Sequence, residues 1–181
     1  MGKKILILNG SPRPNGNTSA LIGAFAAGAQ FAGHTVTTFL LDQMNIHGCK
    51  GCWQGGKDPD HPCVQRDDRE KIYPAYREAN VVVLASPLYY WNLSGQLRTA
   101  FDRLFAVAEC DNYCNPQKEA ALLMVAEGNG FEEAAYYYTN LMQHMSWKDL
   151  GQVLVGGVTQ PGDILGNPGL EKAFQLGASI Q

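Results

Sequence analysis

The chain has 181 residues, of which 45% are hydrophobic and 17% are charged, and its formal net charge is −3. A chain of this length buries enough surface to fold without disulfide bonds or structural metals, and it fits one domain of ordinary size. No run of Lys or Arg is longer than the pair Lys3-Lys4, which argues against a surface that neutralises nucleic-acid phosphates. We therefore predict one domain over residues 1–181 with no nucleic acid among its partners.

The sequence also argues against a membrane location. No stretch approaches the roughly 20 apolar residues that span a bilayer, and the segment MGKKILILNG passes from a basic pair directly into a strand pattern, unlike a signal peptide. Five cysteines, an odd number, in a chain without an export signal indicate reduced thiols. We expect a cytoplasmic protein.

Short apolar runs alternate strictly with longer segments of helical periodicity. The runs are almost uniformly apolar, as in parallel strands covered on both faces, and this alternation predicts an α/β fold with a doubly wound five-stranded parallel sheet of order 2-1-3-4-5. The predicted strands are Lys4 to Asn9, Val36 to Leu41, Val81 to Ser86, Ala120 to Ala126 and Gln152 to Val158. The predicted helices are Thr18 to Ala32, Asp68 to Glu78, Ser94 to Ala106, Phe131 to Met145 and Leu170 to Leu176.

The first loop, GSPRPNGNTS, joins strand 1 to helix 1 and is crowded with hydrogen-bond donors. It matches neither the ATP-binding P-loop pattern nor the dinucleotide fingerprint. Free backbone N–H groups at a helix N-terminus, together with hydroxyl, amide and guanidinium donors, nevertheless suit a phosphate. The alternative is that some of these side chains only cap the helix. We predict a phosphate site formed by Ser11, Arg13, Asn17, Thr18 and Ser19.

Two further loops follow strands 3 and 4. The first carries Tyr89, Tyr90 and Trp91, which cannot all enter the core from one loop, so at least one is expected to face a ligand rather than helix 3 or a partner. The second carries Glu127 and Gly128, where a glycine allows close backbone approach. Because ligands of open α/β sheets bind at the carboxyl ends of strands, all three loops are expected to border one crevice.

The chain resembles the flavodoxin-like NAD(P)H-dependent FMN reductase family over about residues 3 to 160. The resemblance rests on the motifs GSPRPNGNTSAL and SPLYYWNLSGQLRTAFDR and on the cysteine loop after strand 2. The resemblance implies that FMN places its phosphate on the first loop and its isoalloxazine against the second and third. The implied cofactor-binding residues are Ser11, Arg13, Asn17, Thr18, Ser19, Pro87, Leu88, Tyr89, Tyr90, Trp91, Asn92, Glu127 and Gly128.

The same resemblance implies the activity. Members take hydride from NAD(P)H as co-substrate and pass it through bound FMN to a quinone, a flavin or a similar small acceptor, and they form homodimers or homotetramers. The flavin carries the chemistry, so no catalytic acid–base pair is expected. The alternative function is an electron-transfer flavoprotein, either an iron-sulfur flavoprotein or a flavodoxin-type carrier.

The cysteine loop, residues 42 to 67, leaves several interpretations open. A C-x-x-C pair suits zinc, a cluster iron or a redox dithiol, which makes Cys49, Cys52 and Cys63 candidate metal ligands. Iron-sulfur flavoproteins resemble this chain and carry four compact cysteines here, whereas this chain has Gly55 three residues after Cys52. An iron-sulfur cluster or zinc is therefore not the favoured interpretation, because a fourth ligand must come from elsewhere. The candidates for that ligand are His47, His61, Cys110 and Cys114.

Overall fold

The computed structural model describes residues 2–181 and contains one five-stranded parallel sheet of order β2-β1-β3-β4-β5. This confirms the predicted fold class and strand order. The strands are β1 (Lys4–Asn9), β2 (Thr35–Leu40), β3 (Val81–Pro87), β4 (Glu119–Val125) and β5 (Lys148–Val155). Six α-helices connect them: α1 (Asn17–Phe31), α2 (Ile72–Glu78), α3 (Gly95–Asp102), α4 (Phe105–Cys110), α5 (Glu132–Met145) and α6 (Pro168–Ala178). Short 3-10 helices lie at Leu41–Gln43 and Asp68–Lys71.

The sheet has an apolar layer on each face because alternate residues of the central strands point to opposite sides. Residues such as Ile7 and Val83 pack with α1 and α6, whereas Leu8 and Leu84 pack with α2, α3 and α5. Burial on both faces explains why the interior positions of these strands are apolar without alternation. The loops at the carboxyl edge of the sheet are therefore held by rigid elements.

Helix α1 lies against helix α6 at very short range. A Cβ added to Gly28 would overlap the carbonyl oxygen of Phe174, and one added to Gly177 would overlap that of Phe25. These glycines allow the two helix backbones to touch. The contact fixes the direction of α1, whose first residues follow the first loop.

Three elements differ clearly from the prediction. The helix predicted over Asp68 to Glu78 consists of a 3-10 helix, Asp68–Lys71, followed by α2 from Ile72. The predicted helix Ser94 to Ala106 is interrupted after Asp102, and a second helix, α4, runs on to Cys110. The interruption turns Arg103 inward to a buried ion pair with Asp67, a partner that local periodicity does not reveal. Strand β5 runs from Lys148 to Val155, whereas Gln152 to Val158 was predicted. Its first residues are partly exposed and include Lys148 and Asp149, so they do not show the apolar pattern of a buried strand. Within residues 2–181 no helix has the length and hydropathy to cross a bilayer.

Candidate functional site

The first loop presents backbone donors at the start of α1. The helix begins at Asn17 without a side-chain cap, and its first recorded hydrogen bond runs from the N–H of Ala20 to the carbonyl of Gly16, at 3.1 Å. Within residues 2–181 no acceptor takes the N–H groups of Thr18 and Ser19. Unpaired N–H groups and the positive end of the helix dipole together attract an anion.

Side chains of the same loop surround a cavity of about 270 Å³ at this point. Ser11 and Thr18 are only 3% and 2% exposed, and Arg13 enters with its Nη1 donating to the carbonyl of Thr159, at 2.8 Å. Pro87, Leu88 and Tyr89 form another part of the wall, and Glu127 a further part. The three predicted loops thus border one cavity, which contains one cationic side chain.

The side chains of Asn17 and Ser19 form hydrogen bonds with other parts of the protein. The Asn17 Nδ2 donates to the carbonyl of Gln160 at 2.9 Å, and its Oδ1 accepts from the N–H groups of Gly162 and Ile164 at 3.1 and 3.4 Å. The Ser19 hydroxyl contacts Asn9 Nδ2 and the carbonyl of Arg13. Asn17 also lines the cavity, whereas Ser19 does not.

The loop that follows β5 was not predicted as part of the site. Val158 and Thr159 line the cavity, and Asp163 accepts hydrogen bonds from the N–H groups of Thr159 and Gln160, at 2.9 and 2.7 Å. These N–H groups hold the pKa of the Asp163 carboxyl below its ordinary value. The signal was present, because a loop after the fifth strand lies at the same sheet edge as the loops after strands 1, 3 and 4.

The second loop is tied to the first by Ser94. Its hydroxyl donates to the carbonyl of Gly10 at 2.7 Å and accepts from the N–H of Leu97 at 3.3 Å, so it caps α3. Its own N–H donates to the hydroxyl of Ser86, at 2.8 Å. A Cβ on Gly10 would overlap the Ser94 hydroxyl, so only glycine lets the two loops approach this closely.

Tyr90, Trp91 and Gly128 lie beside this cavity rather than in it. Together with Leu88 and Gly130 they line an open groove of about 300 Å³, which we call the aromatic groove. Leu88 lines both the cavity and the groove, so the two adjoin. Asn92 borders neither, and its Oδ1 accepts from the N–H of Leu93 at 2.8 Å.

The cysteine loop forms a separate cavity of about 280 Å³ that shares no residue with the first. Cys49, Cys52 and Cys63 line it together with Trp53 and other residues. Beside it, Arg103 pairs with the carboxylate of Asp67. Both of these side chains are almost fully buried, at 0% and 1% exposed. Burial alone raises the pKa of Asp67, but the N–H groups of His47 and Arg69 and the Arg103 guanidinium outweigh it and lower that pKa.

The four residues considered as a further metal ligand lie elsewhere. His47 contacts Asp67, His61 contacts Glu70, Cys110 contacts Arg77 and the carbonyl of Asp58, and Cys114 is exposed. None of the four lines the cysteine cavity. Across the described part of the chain, no three His, Cys, Asp or Glu side chains converge as they do around a metal ion.

Comparison with known proteins matches residues 3–160 to the family model of the NADPH-dependent FMN reductases. The chain belongs to the NADPH-dependent FMN reductase family. This confirms the resemblance found in the sequence, and with it the prediction of an NAD(P)H-dependent FMN oxidoreductase.

Relatives and solved structures agree with this family. The chain is 32% identical over 172 residues to an iron-sulfur flavoprotein of Archaeoglobus fulgidus, covering 94% of this chain and 76% of the relative. It is 30% identical over 168 residues to an iron-sulfur flavoprotein of Methanosarcina thermophila, covering 93% and 85%. The structure of an NAD(P)H:quinone oxidoreductase from Methanothermobacter marburgensis superposes with a TM-score of 0.74 at 18% identity, covering 98% and 96%, and so shares the fold.

The first cavity of this FMN reductase fits a phosphorylated flavin. The free N–H groups at the start of α1, the hydroxyls of Ser11 and Thr18 and the guanidinium of Arg13 form a donor set on one side of the cavity, and Glu127 is the one acidic residue in its wall. An anion is the ligand that such a set prefers. The aromatic and apolar residues that follow β3 offer the contacts that a flavin ring needs.

The cysteine cavity of this FMN reductase does not fit a four-thiolate cluster. Gly55 stands where the compact motif needs a third cysteine, and α4 packs tightly against it. A Cβ at Gly55 would overlap the Glu109 carboxylate and lie 2.8 Å from the carbonyl oxygen of Pro62. Glu109 thus occupies the space of a fourth side chain, and three free thiols remain around the cavity.

Proposed function

We propose that this chain acts as a single FMN-binding domain that oxidises NAD(P)H and reduces a small acceptor, with FMN bound at the carboxyl edge of the sheet. The observation that carries the proposal is the convergence of an uncapped helix start, Arg13 and the loops after β3 and β4 on one cavity. When bound, FMN accepts hydride from a nicotinamide and delivers it to the acceptor. The protein's own tasks are binding, orientation and exclusion of water.

The phosphate-binding part is assigned to the first loop. The N–H groups of Thr18 and Ser19, the hydroxyls of Ser11 and Thr18 and the guanidinium of Arg13 would hold the phosphate. Asn17 positions the loop after β5, from which Thr159 contacts Arg13. These groups are held by α1 and β5, so the anion site is organised before a ligand arrives.

The flavin ring is assigned to the second and third loops, whose residues are Pro87, Leu88, Tyr89, Tyr90, Trp91, Asn92, Glu127 and Gly128. Tyr89 lines the cavity directly and is 45% exposed, which leaves its ring free to contact a ligand. The N–H groups of Glu127 and Gly128 have no acceptor within residues 2–181. Such donors would bind the polar edge of the ring.

We also propose that the chain forms a homodimer or homotetramer in the cytoplasm. Trp53, Phe105 and Tyr113 form an exposed aromatic cluster, with Trp53 72% exposed and its ring centroid 5.3 Å from that of Phe105. Large exposed apolar clusters favour association. Light scattering on the purified protein tests this, and a monomer at micromolar concentration would refute it.

The proposed activity is tested by an anaerobic visible spectrum of the FMN-loaded protein, recorded before and after addition of NADH or NADPH. Bound flavin bands that bleach with a nicotinamide, and return when a quinone is added, are the expected result. A protein that retains no FMN, or whose bands never bleach, would refute the enzyme. Accumulation of one-electron-reduced flavin on stepwise titration would instead favour the electron-carrier alternative.

A further inference from the structure

The peptide bond between Gly10 and Ser11 is held on both sides by buried side chains. Its carbonyl accepts from the Ser94 hydroxyl at 2.7 Å, and its N–H donates to Oδ1 of Asn9 at 2.9 Å. A peptide bond is planar, so these two hydrogen bonds fix the orientation of the whole unit. This unit leads directly into Ser11, whose side chain belongs to the donor set of the first cavity.

The two anchoring side chains belong to different parts of the site. Asn9 ends β1, and its Nδ2 donates to the hydroxyl of Ser19 at 3.2 Å, so it holds the first loop together from within. Ser94 instead ends the second loop and precedes α3. Asn9 and Ser94 are 4% and 0% exposed, and neither lines the cavity. They therefore act on a ligand through the loops that they hold.

The bond from Ser94 links the first loop to the second. Among the hydrogen bonds within residues 2–181, it is the one that joins residues 10–19 to residues 88–94. The N–H of Ser94 donates to the hydroxyl of Ser86 in β3, at 2.8 Å, so the link is anchored in the middle strand of the sheet. No other donor in the described part of the chain reaches the Gly10 carbonyl. Because Gly10 and Ser94 are both buried, water does not replace the hydroxyl.

We propose that Ser94 is a positioning residue that sets the first loop in register with the second, so that the phosphate and the ring of one flavin are bound at the same time. The inference rests on the proposed function, which assigns the phosphate and the ring to these separate loops. Two sites that share one ligand gain affinity only when their spacing matches that ligand. Without the hydroxyl, the Gly10 carbonyl is buried and unpaired, which is costly, and a shift of the first loop relieves that cost. Ser94 thus determines the preference for a phosphorylated flavin over riboflavin from outside the cavity.

The test compares Ser94→Gly with Ser94→Ala, because these variants separate the bond to Gly10 from the capping of α3. Both remove the donor to Gly10, but Gly is tolerated at a helix N-cap almost as well as Ser, whereas Ala is not. Tyr138→Phe is the matched control. It also removes one buried hydroxyl, which donates to Asp149 at 2.9 Å, near the start of β5 and thus at the opposite edge of the sheet. Flavin fluorescence gives the dissociation constants of FMN and riboflavin with the flavin-free proteins, and thermal unfolding gives Tm.

Both Ser94 variants are expected to lower the ratio of FMN affinity to riboflavin affinity by about tenfold, as for one buried hydrogen bond whose acceptor is left unpaired. Their riboflavin affinity should stay within about threefold of the wild-type value, since the ring contacts are retained. Ser94→Gly should have the higher Tm of the two, and Tyr138→Phe should lower Tm but leave the affinity ratio within about twofold.

A wild-type affinity ratio in Ser94→Gly would overturn the inference, even if Ser94→Ala lost the preference, because the hydroxyl would then act only as a helix cap. An equal loss of FMN and riboflavin affinity in both Ser94 variants would also overturn it, by showing general damage to the site. A loss of the ratio in Tyr138→Phe as large as that in Ser94→Gly would overturn it as well. A wild type that binds no FMN, or that binds FMN and riboflavin equally, would refute the proposed function instead.

Discussion

Replacing Asn17 by Ala tests whether the loop after β5 belongs to the flavin site. The change removes three hydrogen bonds, of 2.9, 3.1 and 3.4 Å, that join the start of α1 to residues 160–164. At about 0.5–1.5 kcal/mol net for each bond, with the longest the weakest, the loop loses about 2 kcal/mol of docking free energy. Ala is a good helix former, so α1 itself is not weakened.

This loss is expected to appear in cofactor affinity, because Thr159 of the undocked loop lines the cavity. About 2 kcal/mol corresponds to a roughly 30-fold weaker dissociation constant. FMN fluorescence titration of the apo-protein measures it, and amide hydrogen exchange of residues 159–164 should rise in parallel. Asn15→Ala is the matched control, since Asn15 is exposed in the same loop. FMN affinity within twofold of the wild type, with unchanged exchange in the loop, would refute the reasoning.

Three further predictions concern stability and metal content. Gly28→Ala is expected to lower the free energy of unfolding by about 3 kcal/mol, because its Cβ would overlap the α6 backbone. Gly23→Ala has open space around it and is expected to raise the free energy of unfolding by up to about 1 kcal/mol; urea unfolding measures both values. Asp67→Ala leaves the Arg103 charge buried and unpaired, so we expect it to lower the free energy of unfolding by about 3–5 kcal/mol in the same assay. Glu78→Gln, which breaks the exposed pair with Lys4, is the control and should leave the free energy of unfolding unchanged. The native pKa of Asp67 is lowered, so its contribution to the free energy of unfolding is complete above its unfolded pKa of about 4 and disappears as the pH falls through the native pKa. The Asp67→Ala variant should lack this acid-induced loss of stability. Anaerobic incubation with iron and sulfide is expected to add no stoichiometric cluster, and iron analysis showing four atoms per chain would contradict this.

The sheet was predictable because its information is local. Strands β3 and β4 are each apolar over at least five consecutive positions, and the alternation with helical segments specifies parallel order. The break after Asp102 was not predictable from local periodicity, because Arg103 at the break pairs with Asp67, which lies 36 residues away in the chain. The early start of β5 was not predicted for a different reason. Lys148, Asp149 and Gly151 interrupt the apolar pattern at the start of this edge strand, where pairing does not require an apolar side chain.

The candidate site was predictable to the level of its loops. Donor-rich and aromatic segments that follow parallel strands meet at one edge of the sheet, and the structure brings Ser11, Arg13, Thr18 and Tyr89 to one cavity. The tasks of individual side chains depend on distant partners. Asn17 looks like a phosphate donor in sequence, yet its amide is occupied by residues more than 140 positions away.

The same limit applies to the cysteine loop. The sequence reveals that Gly55 stands where a further cysteine is needed, but not what fills that space. Glu109 was not among the ligands considered, because only the interrupted helix brings α4 over the loop. The spacing of the cysteines therefore does not reveal that Glu109 fills the space beside Gly55.

The most direct test of the central claim, that the start of α1 binds the FMN phosphate, compares FMN with riboflavin, which lacks the phosphate. Dissociation constants are measured by flavin fluorescence for the wild type and for Thr18→Ala combined with Arg13→Ala. The account predicts that the wild type binds FMN at least about 100-fold more tightly than riboflavin, as expected for several charge-assisted hydrogen bonds. The variant should lose most of this preference, while its affinity for riboflavin stays within about threefold of the wild-type value. Equal affinity of the wild type for the two flavins, or an undiminished preference in the variant, would contradict it.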